Sequence, residues 1–270
     1  MPRHHAFPQA LSPHTRATTL LPLISCLGAS PVVLAHSWWA TLPFGVAGGL
    51  LLVRLFGLFH DCVHGSLLPG RRANRTVGTA LGVLLLTPFH EWGRRHHLHH
   101  ATSGNLDRRG WWDFPIMTVR EYAAAPWTVR VCYGVIRHPI VLLGIAPMVF
   151  FLIVQRLPAP GARGRHVREV LVLDAVVLAF GAVLAGAGVL TQVLFVYAVP
   201  TVVSTTIGFW LFYVQHQFPA TSWEPGAAWT WTAAAFDGSS LLRLPRWLRW
   251  FTVDLGYHHI HHLAPSIPNH

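Results

Sequence analysis

Four long apolar stretches decide what this chain can become. Residues 17–36, 38–59, 170–189 and 190–213 are each 20 to 24 residues long and nearly free of charge. A helix needs about 20 apolar residues to cross the hydrocarbon core of a bilayer. Lipid offers no hydrogen bonds, so a segment that crosses it must satisfy its own backbone, which a helix does. The stretches predict two helical hairpins, one turning at 37–39 and the other near Gly186 and Gly188. Arg54 and Asp174 are the only charges inside the four. Composition agrees: charged residues make up 11% of the chain, against about 25% in an ordinary soluble domain.

Two shorter apolar runs need another place. Residues 77–89 are too few to span and are expected to be re-entrant or buried. Residues 139–155 are near the limit, and parity decides them. Their following loop carries Arg156, Arg163, Arg165 and Arg168 with no acid, which the positive-inside rule assigns to the cytoplasm. The segment is therefore expected to dip into the membrane or lie at its surface without crossing. Residues 245–254 combine Arg246 and Arg249 with Trp247, Leu248, Trp250 and Phe251, the make-up of a helix lying on a membrane. The basic N-terminus leads into the first apolar stretch without a small-residue cleavage site, so a retained span is expected rather than a removed leader.

The net charge of +10 suits loops beside anionic lipid. It does not point to nucleic acid, because the basic residues lie between apolar runs and build no binding motif. Cys26, Cys62 and Cys132 are scattered and outline no disulfide framework.

Ten of the nineteen histidines fall in three windows: H-D-C-V-H (His60, His64), H-H-L-H-H (His96, His97, His99, His100) and H-H-I-H-H (His258, His259, His261, His262). Helical positions three and four apart are neighbours. His60/His64, His96/His99/His100 and His258/His261/His262 therefore form three one-sided clusters. Eight imidazoles are too many for one closed tetrahedral zinc site, so two metal ions are expected. His97 and His259 sit one step round the helix and are read as outside the ligand set. The isolated histidines, such as His4, His5, His14, His36, His138, His166 and His270, carry no repeated spacing.

Position gives the chemistry. His60 and His64 close the second predicted span, so metals held there lie just beneath the bilayer surface, within reach of an acyl chain. Oxidising an unactivated C–H bond with dioxygen needs a redox metal, which removes zinc and favours iron.

The three boxes, in this order and with an apolar stretch between the second and third, resemble the membrane fatty-acid desaturase family, and within it the omega-6 type acyl-lipid branch. The flanks agree: H-A-T-S-G-N-L-D-R-R-G from His100, W-L-F-Y-V-Q-H-Q-F from Trp210, D-G-S-S from Asp237 and G-Y-H-H-I-H-H-L-A-P-S-I-P-N near the end. The resemblance runs from about Phe59 to the C-terminus. It implies an all-α integral membrane protein of four transmembrane helices with a cytoplasmic, His-rich di-iron cap, forming one domain over 1–270. It implies ligands at His60, His64, His96, His99, His100, His258, His261 and His262, with His216 as a ninth. It further implies removal of two hydrogens from a membrane acyl chain, with dioxygen as co-substrate and two electrons from an external donor. No H-P-G-G stretch marks a fused cytochrome b5-like domain, so a separate ferredoxin-like or cytochrome b5-like protein is expected, docking near Arg163 and Arg165. The expected location is a bacterial inner membrane. The chain stops at His270, eight residues past His262, short of where such relatives end, so either a short form or a truncated C-terminus is expected.

Asp61 and Asp107 are candidates to take the outer N–H of a ligand, His90 is expected beside the ligands rather than among them, and Thr191, Gln192, Ser204, Thr205 and Thr206 are candidates to line a substrate path. Two rival functions stand. An oxygen-inserting lipid hydroxylase, carotenoid ketolase or alkane monooxygenase would share the boxes. A metal transporter would need ionisable ligands at mid-membrane depth, where this chain has none.

Overall fold

The computed structural model of the protein describes residues 39–268, with 19, 21, 22, 24, 25 and 37 before them. The expected first span at 17–36 lies almost wholly outside the described residues. Among the described residues all regular structure is helical, with two isolated β-bridges, Asn105 with Glu224 and Leu241 with Tyr257.

Three helices are long and apolar enough to cross a membrane: α1 (Thr41–His64), α7 (Arg165–Gly186) and α8 (Leu190–His216). The expected spans at 38–59, 170–189 and 190–213 match them with shifted ends. The helical hydrogen-bond ladder continues past the apolar stretch, so α1 and α8 each run on into their terminal histidines. Between them lie α2 (Arg71–Leu84), α3 (Phe89–Thr102), α4 (Val119–Ala124), α5 (Trp127–Arg137) and α6 (Ala146–Leu152). After α8 come α9 (Trp231–Asp237), α10 (Arg246–Phe251) and α11 (His258–Leu263).

Helices α1 and α8 lie side by side, and small residues permit it. A Cβ at Gly49 would sit 2.6 Å from Val203 Cβ, and one at Gly45 would sit 2.8 Å from Val199 Cβ. This small-xxx-small seam is the usual device for close helix approach in lipid. Pro200 of α8 lies on the same seam; lacking an N–H, it leaves one turn of the helix ladder incomplete. Helix α7 is the outermost, with Leu178 73% and Val183 67% exposed. Such outward-facing apolar side chains suit a lipid-facing surface.

The stretch at 77–89 is the second half of α2 and the turn into α3. Gly78 and Gly82 sit where a Cβ would meet the Phe89 ring at 2.1 Å and the Thr87 carbonyl oxygen at 2.5 Å. It is buried on one face and does not cross. The segment at 139–155 forms a π-helical turn (Val141–Ile145) and α6, joined to α5 by a 61° bend. Such a break describes either a re-entrant loop or a broken span. Thr206 Oγ1 of α8 donates to the Leu143 carbonyl at 2.9 Å, tying this segment to the bundle.

The two charges inside the spans are both accommodated. Arg54 is buried, donates to Thr19 Oγ1 at 2.9 Å and to the Trp250 carbonyl, and stacks over the Trp250 ring at 4.1 Å. It thereby fastens α10 against α1, while Trp247 of α10 remains 59% exposed. Asp174 meets Arg156 at 3.1 Å.

Candidate metal centre

The C-terminal ends of α1 and α8 and the N-terminal end of α7 meet at one end of the bundle, where α3 and α11 cap it. Nine imidazoles converge there in two groups. His60, His64, His96, His100 and His261 form the first; His99, His216, His258 and His262 form the second. Within each group the ligating nitrogens lie within 4.8 Å of one another. Helices α3 and α11 each contribute to both groups, because His96/His100 and His99 diverge around one helix as His261 and His258/His262 do around the other. The groups abut: the His100 and His262 rings stack at 4.2 Å.

The nitrogen geometry fits metal ligation better than hydrogen bonding. In the first group Nε2 atoms follow one another from His64 to His96 at 2.9 Å, His96 to His100 at 3.0 Å and His100 to His261 at 3.1 Å. In the second, His258 Nε2 faces His216 Nε2 at 2.8 Å and His262 Nε2 at 3.1 Å. A ring nitrogen carries either one hydrogen or one lone pair, so His96 and His258 cannot satisfy two such neighbours at once. A cation at the common point satisfies all of them. Two imidazole nitrogens about 2.1 Å from one ion lie about 3.0 Å apart at a right angle and about 3.4 Å apart at the tetrahedral angle. The observed spacings match the right angle, and five donors in the first group exceed a tetrahedral set.

Tautomers in the second group are fixed from outside. His216 Nδ1 donates to the Gly238 carbonyl at 3.0 Å, leaving a bare lone pair on Nε2. His99 Nδ1 is hydrogen-bonded to Asp113, and its Nε2 is buried with no protein partner. A buried, unpartnered lone pair aimed into a ring of others is what a cation would occupy. In the first group His60 Nδ1 lies 3.5 Å from Asp61 Oδ1. Trp92 stacks on His96 at 4.6 Å. Burial, reinforced by the neighbouring imidazoles, pushes His96, His100, His258, His261 and His262 well below the ordinary imidazole range. Those rings are neutral at physiological pH, the form that binds a metal.

All eight box histidines and His216 thus come together, and His216 is the one that spacing alone could not place. His97 is near His64, with ring centroids 5.7 Å apart, but belongs to neither group. His90 turns to Glu169, with Nδ1 3.0 Å from Oε1. Asp61 lies beside His60 as expected, but at 3.5 Å it makes no hydrogen bond with the His60 Nδ1. Asp107 does not serve a ligand: it accepts from the Gly226 N–H at 2.7 Å and ties the 105–108 turn to the loop before α9. The carboxylate that does hold one of the grouped histidines is Asp113, which bonds His99 from W-W-D-F-P, a loop with no periodicity to single it out. Ser204 and Thr205 donate to the Thr201 carbonyl at 3.2 and 2.7 Å, and Thr206 holds Leu143. Helix packing accounts for these three better than a substrate path does.

Fold and site together define a membrane-helical protein with a histidine-rich metal site at one end of its bundle. The model of the family described as fatty acid desaturase matches residues 37–270. A fatty acid desaturase of Bacillus subtilis is 36% identical over 93% of this chain and 72% of its own length. An sn-1 oleoyl-lipid 12-desaturase of Synechocystis is 27% identical over 86% of this chain and 66% of its own. An sn-1 acyl-lipid omega-3 desaturase (ferredoxin) of the same organism is 26% identical over 87% and 66% respectively. The chain belongs to the fatty acid desaturase family and is an oxidoreductase of that class. The rival readings as an oxygen-inserting relative or a metal transporter find no counterpart among these similarities.

Proposed function

We propose that the chain is an acyl-lipid desaturase that introduces a cis double bond at a di-iron centre. One iron would be held by His60, His64, His96, His100 and His261, the other by His99, His216, His258 and His262. The observation that carries this reading is the division of nine buried or half-buried imidazoles into two abutting sets with mutually facing nitrogens. The names of the acyl-lipid relatives support a glycerolipid-bound chain as substrate, and a ferredoxin-linked name among them supports a ferredoxin-like donor.

Iron bound there supplies the activation of dioxygen: one acyl CH₂–CH₂ unit, O₂, two electrons and two protons give CH=CH and two waters. The protein's part is placement. Asp113 and the Gly238 carbonyl fix the rings of His99 and His216 so that their lone pairs face inward. Trp92 lies against the first group, 4.6 Å from His96, and Phe212 and Phe114 form an aromatic floor beside the second, with Phe212 5.0 Å from His99 and 5.1 Å from Phe114. That floor offers an acyl chain an apolar surface and keeps water off the reacting carbons. The positive-inside distribution supports a bacterial inner-membrane location with the site cytoplasmic, four spans counting 17–36, and docking of the donor near Arg163 and Arg165. We read residues 1–270 as one domain, since the His groups draw on helices from both halves of the chain.

Fatty acids from a bacterial host expressing this chain beside a ferredoxin system test the reading. Mass spectrometry with double-bond localisation should find a new unsaturated acid that is absent with His99→Ala. A hydroxylated product, or an identical profile with His99→Ala, would sink it.

A further inference from the structure

Helix α3 carries ligands for both metal groups, yet its own N-terminus has no side-chain cap: Pro88 occupies the N-cap position and offers none. The first N–H groups of a helix need acceptors from elsewhere. Here they find one on another helix. Glu169, in the second turn of α7, accepts from the His90 N–H at 2.8 Å and the Glu91 N–H at 3.1 Å, both on Oε2. Its Oε1 meets His90 Nδ1 at 3.0 Å. A membrane-facing helix 78 residues further along the chain from Glu91 thus caps the helix that presents His96, His99 and His100.

A second set of contacts holds the same corner. Glu91, fully buried, receives Arg94 at 2.8 Å and Arg95 at 3.4 Å and faces His166 Nδ1 of α7 at 3.4 Å. Arg94 also donates to the Pro160 carbonyl at 3.3 Å, and Arg95 to the Leu157 carbonyl at 3.4 Å. The far end of α3 is held separately: Trp112 Nε1 donates to Thr102 Oγ1 at 2.9 Å, and Trp229 Nε1 to the Ser103 carbonyl at 3.0 Å. Of these contacts, Glu169 is the one that reaches the backbone N–H groups of the first turn of α3.

We propose that Glu169 is a positioning residue of the desaturase: it caps α3 from α7 and so sets the register of His96, His99 and His100 in both metal groups. The inference rests on reading those histidines as ligands. It assigns a role to a membrane helix that contributes no ligand, and it explains why an acid stands in an otherwise arginine-rich entry to that helix. Glu169 itself is part of neither the α1–α8 seam nor the core around Phe59, so Glu169→Ala is expected to fold.

The experiment uses full-length protein in detergent micelles, wild type and Glu169→Ala, with two readouts. Hydrogen exchange over the first turn of α3 should rise about five- to tenfold in Glu169→Ala, the scale of a lost cap, while exchange in α8 stays unchanged. The d–d spectrum of cobalt(II)-loaded protein should shift, reporting altered ligand geometry at unchanged thermal midpoint. Pro88 has extended backbone angles (φ −68°, ψ 116°), which suit a capping residue. Pro88→Asp placed on Glu169→Ala should therefore restore both readouts toward wild type by supplying the cap in cis. Wild-type exchange and spectrum in Glu169→Ala would overturn the inference, as would loss that Pro88→Asp does not rescue. A wild-type protein that binds no cobalt would instead overturn the ligand reading itself, and this inference with it.

Discussion

The two histidine groups differ in how they are built. The first takes five imidazoles from α1, α3 and α11, every one from a recognisable box, and two of them, His64 and His96, are only half-buried. Its outer nitrogens are loosely held: His60 approaches Asp61 at 3.5 Å, while the Nδ1 atoms of His100 and His261 are buried without partners. The second takes four, all buried, from α3, α8 and α11. Two of its rings are fixed by outside acceptors, Asp113 and Gly238. Both groups leave outer nitrogens unpartnered, His258 Nδ1 among them, but the second has fewer donors and two of its four rings are oriented by outside acceptors, which leaves more room for an exogenous ligand. The second group is therefore the one where the account places the tighter demand on each residue.

That contrast can be broken in several ways. The largest expected effect is removal of a ligand from the smaller set. His262→Ala should lower the desaturated product by at least about a hundredfold in the host assay, since four donors leave no spare. Next is the orienting carboxylate: Asp113→Asn keeps the size but removes the charged acceptor, and metal affinity should fall about 10- to 100-fold in a chelator competition. Asp61→Asn, acting on the looser group, should cost less than Asp113→Asn in the same titration. The reverse order would refute the contrast.

Acid should act on the metal-free protein through the depressed rings. His96, His100, His258, His261 and His262 stay neutral in the fold to well below the pH at which they charge when unfolded. The unfolded state then binds more protons, so stability is fully present above about pH 6.5 and declines as pH falls below it. Thermal melts of chelator-treated protein between pH 7.5 and about pH 5 should show Tm falling on the acid side. A flat profile would mean the rings are not buried as described. The smallest effect belongs to His97→Ala and Asp107→Asn, which are members of neither group. Both should retain wild-type metal content, within the range of ordinary surface substitutions.

Much of this was legible before any fold. The apolar lengths gave α1, α7 and α8 to within a few residues, because a bilayer imposes its thickness on a sequence directly. The i, i+3, i+4 spacing picked out the histidines of α3 and α11 that converge in the two groups for the same kind of reason. What stayed hidden depends on tertiary contact. His216 stands alone at the end of α8: the resemblance named it, but no repeated spacing does, and its approach to His258 at 2.8 Å and to His99 brings it into the second group. Asp113 lies in an irregular loop and carried no signal, while Asp107, the candidate six residues earlier, turns toward Gly226 in the fold. Glu169 gives no periodic signal at all, since its partners are backbone N–H groups of another helix. The division of the boxes also could not be read from spacing: adjacent residues His99 and His100 go to different groups because one helical step is about 100°.

The most direct test is the iron-to-protein ratio of purified wild type and His216→Ala, measured by elemental mass spectrometry alongside protein quantified by amino-acid analysis. The account predicts close to two irons per wild-type chain and close to one in His216→Ala, with the first group still filled. Two irons retained in His216→Ala, or a fully folded wild type that holds no more than one, would contradict it.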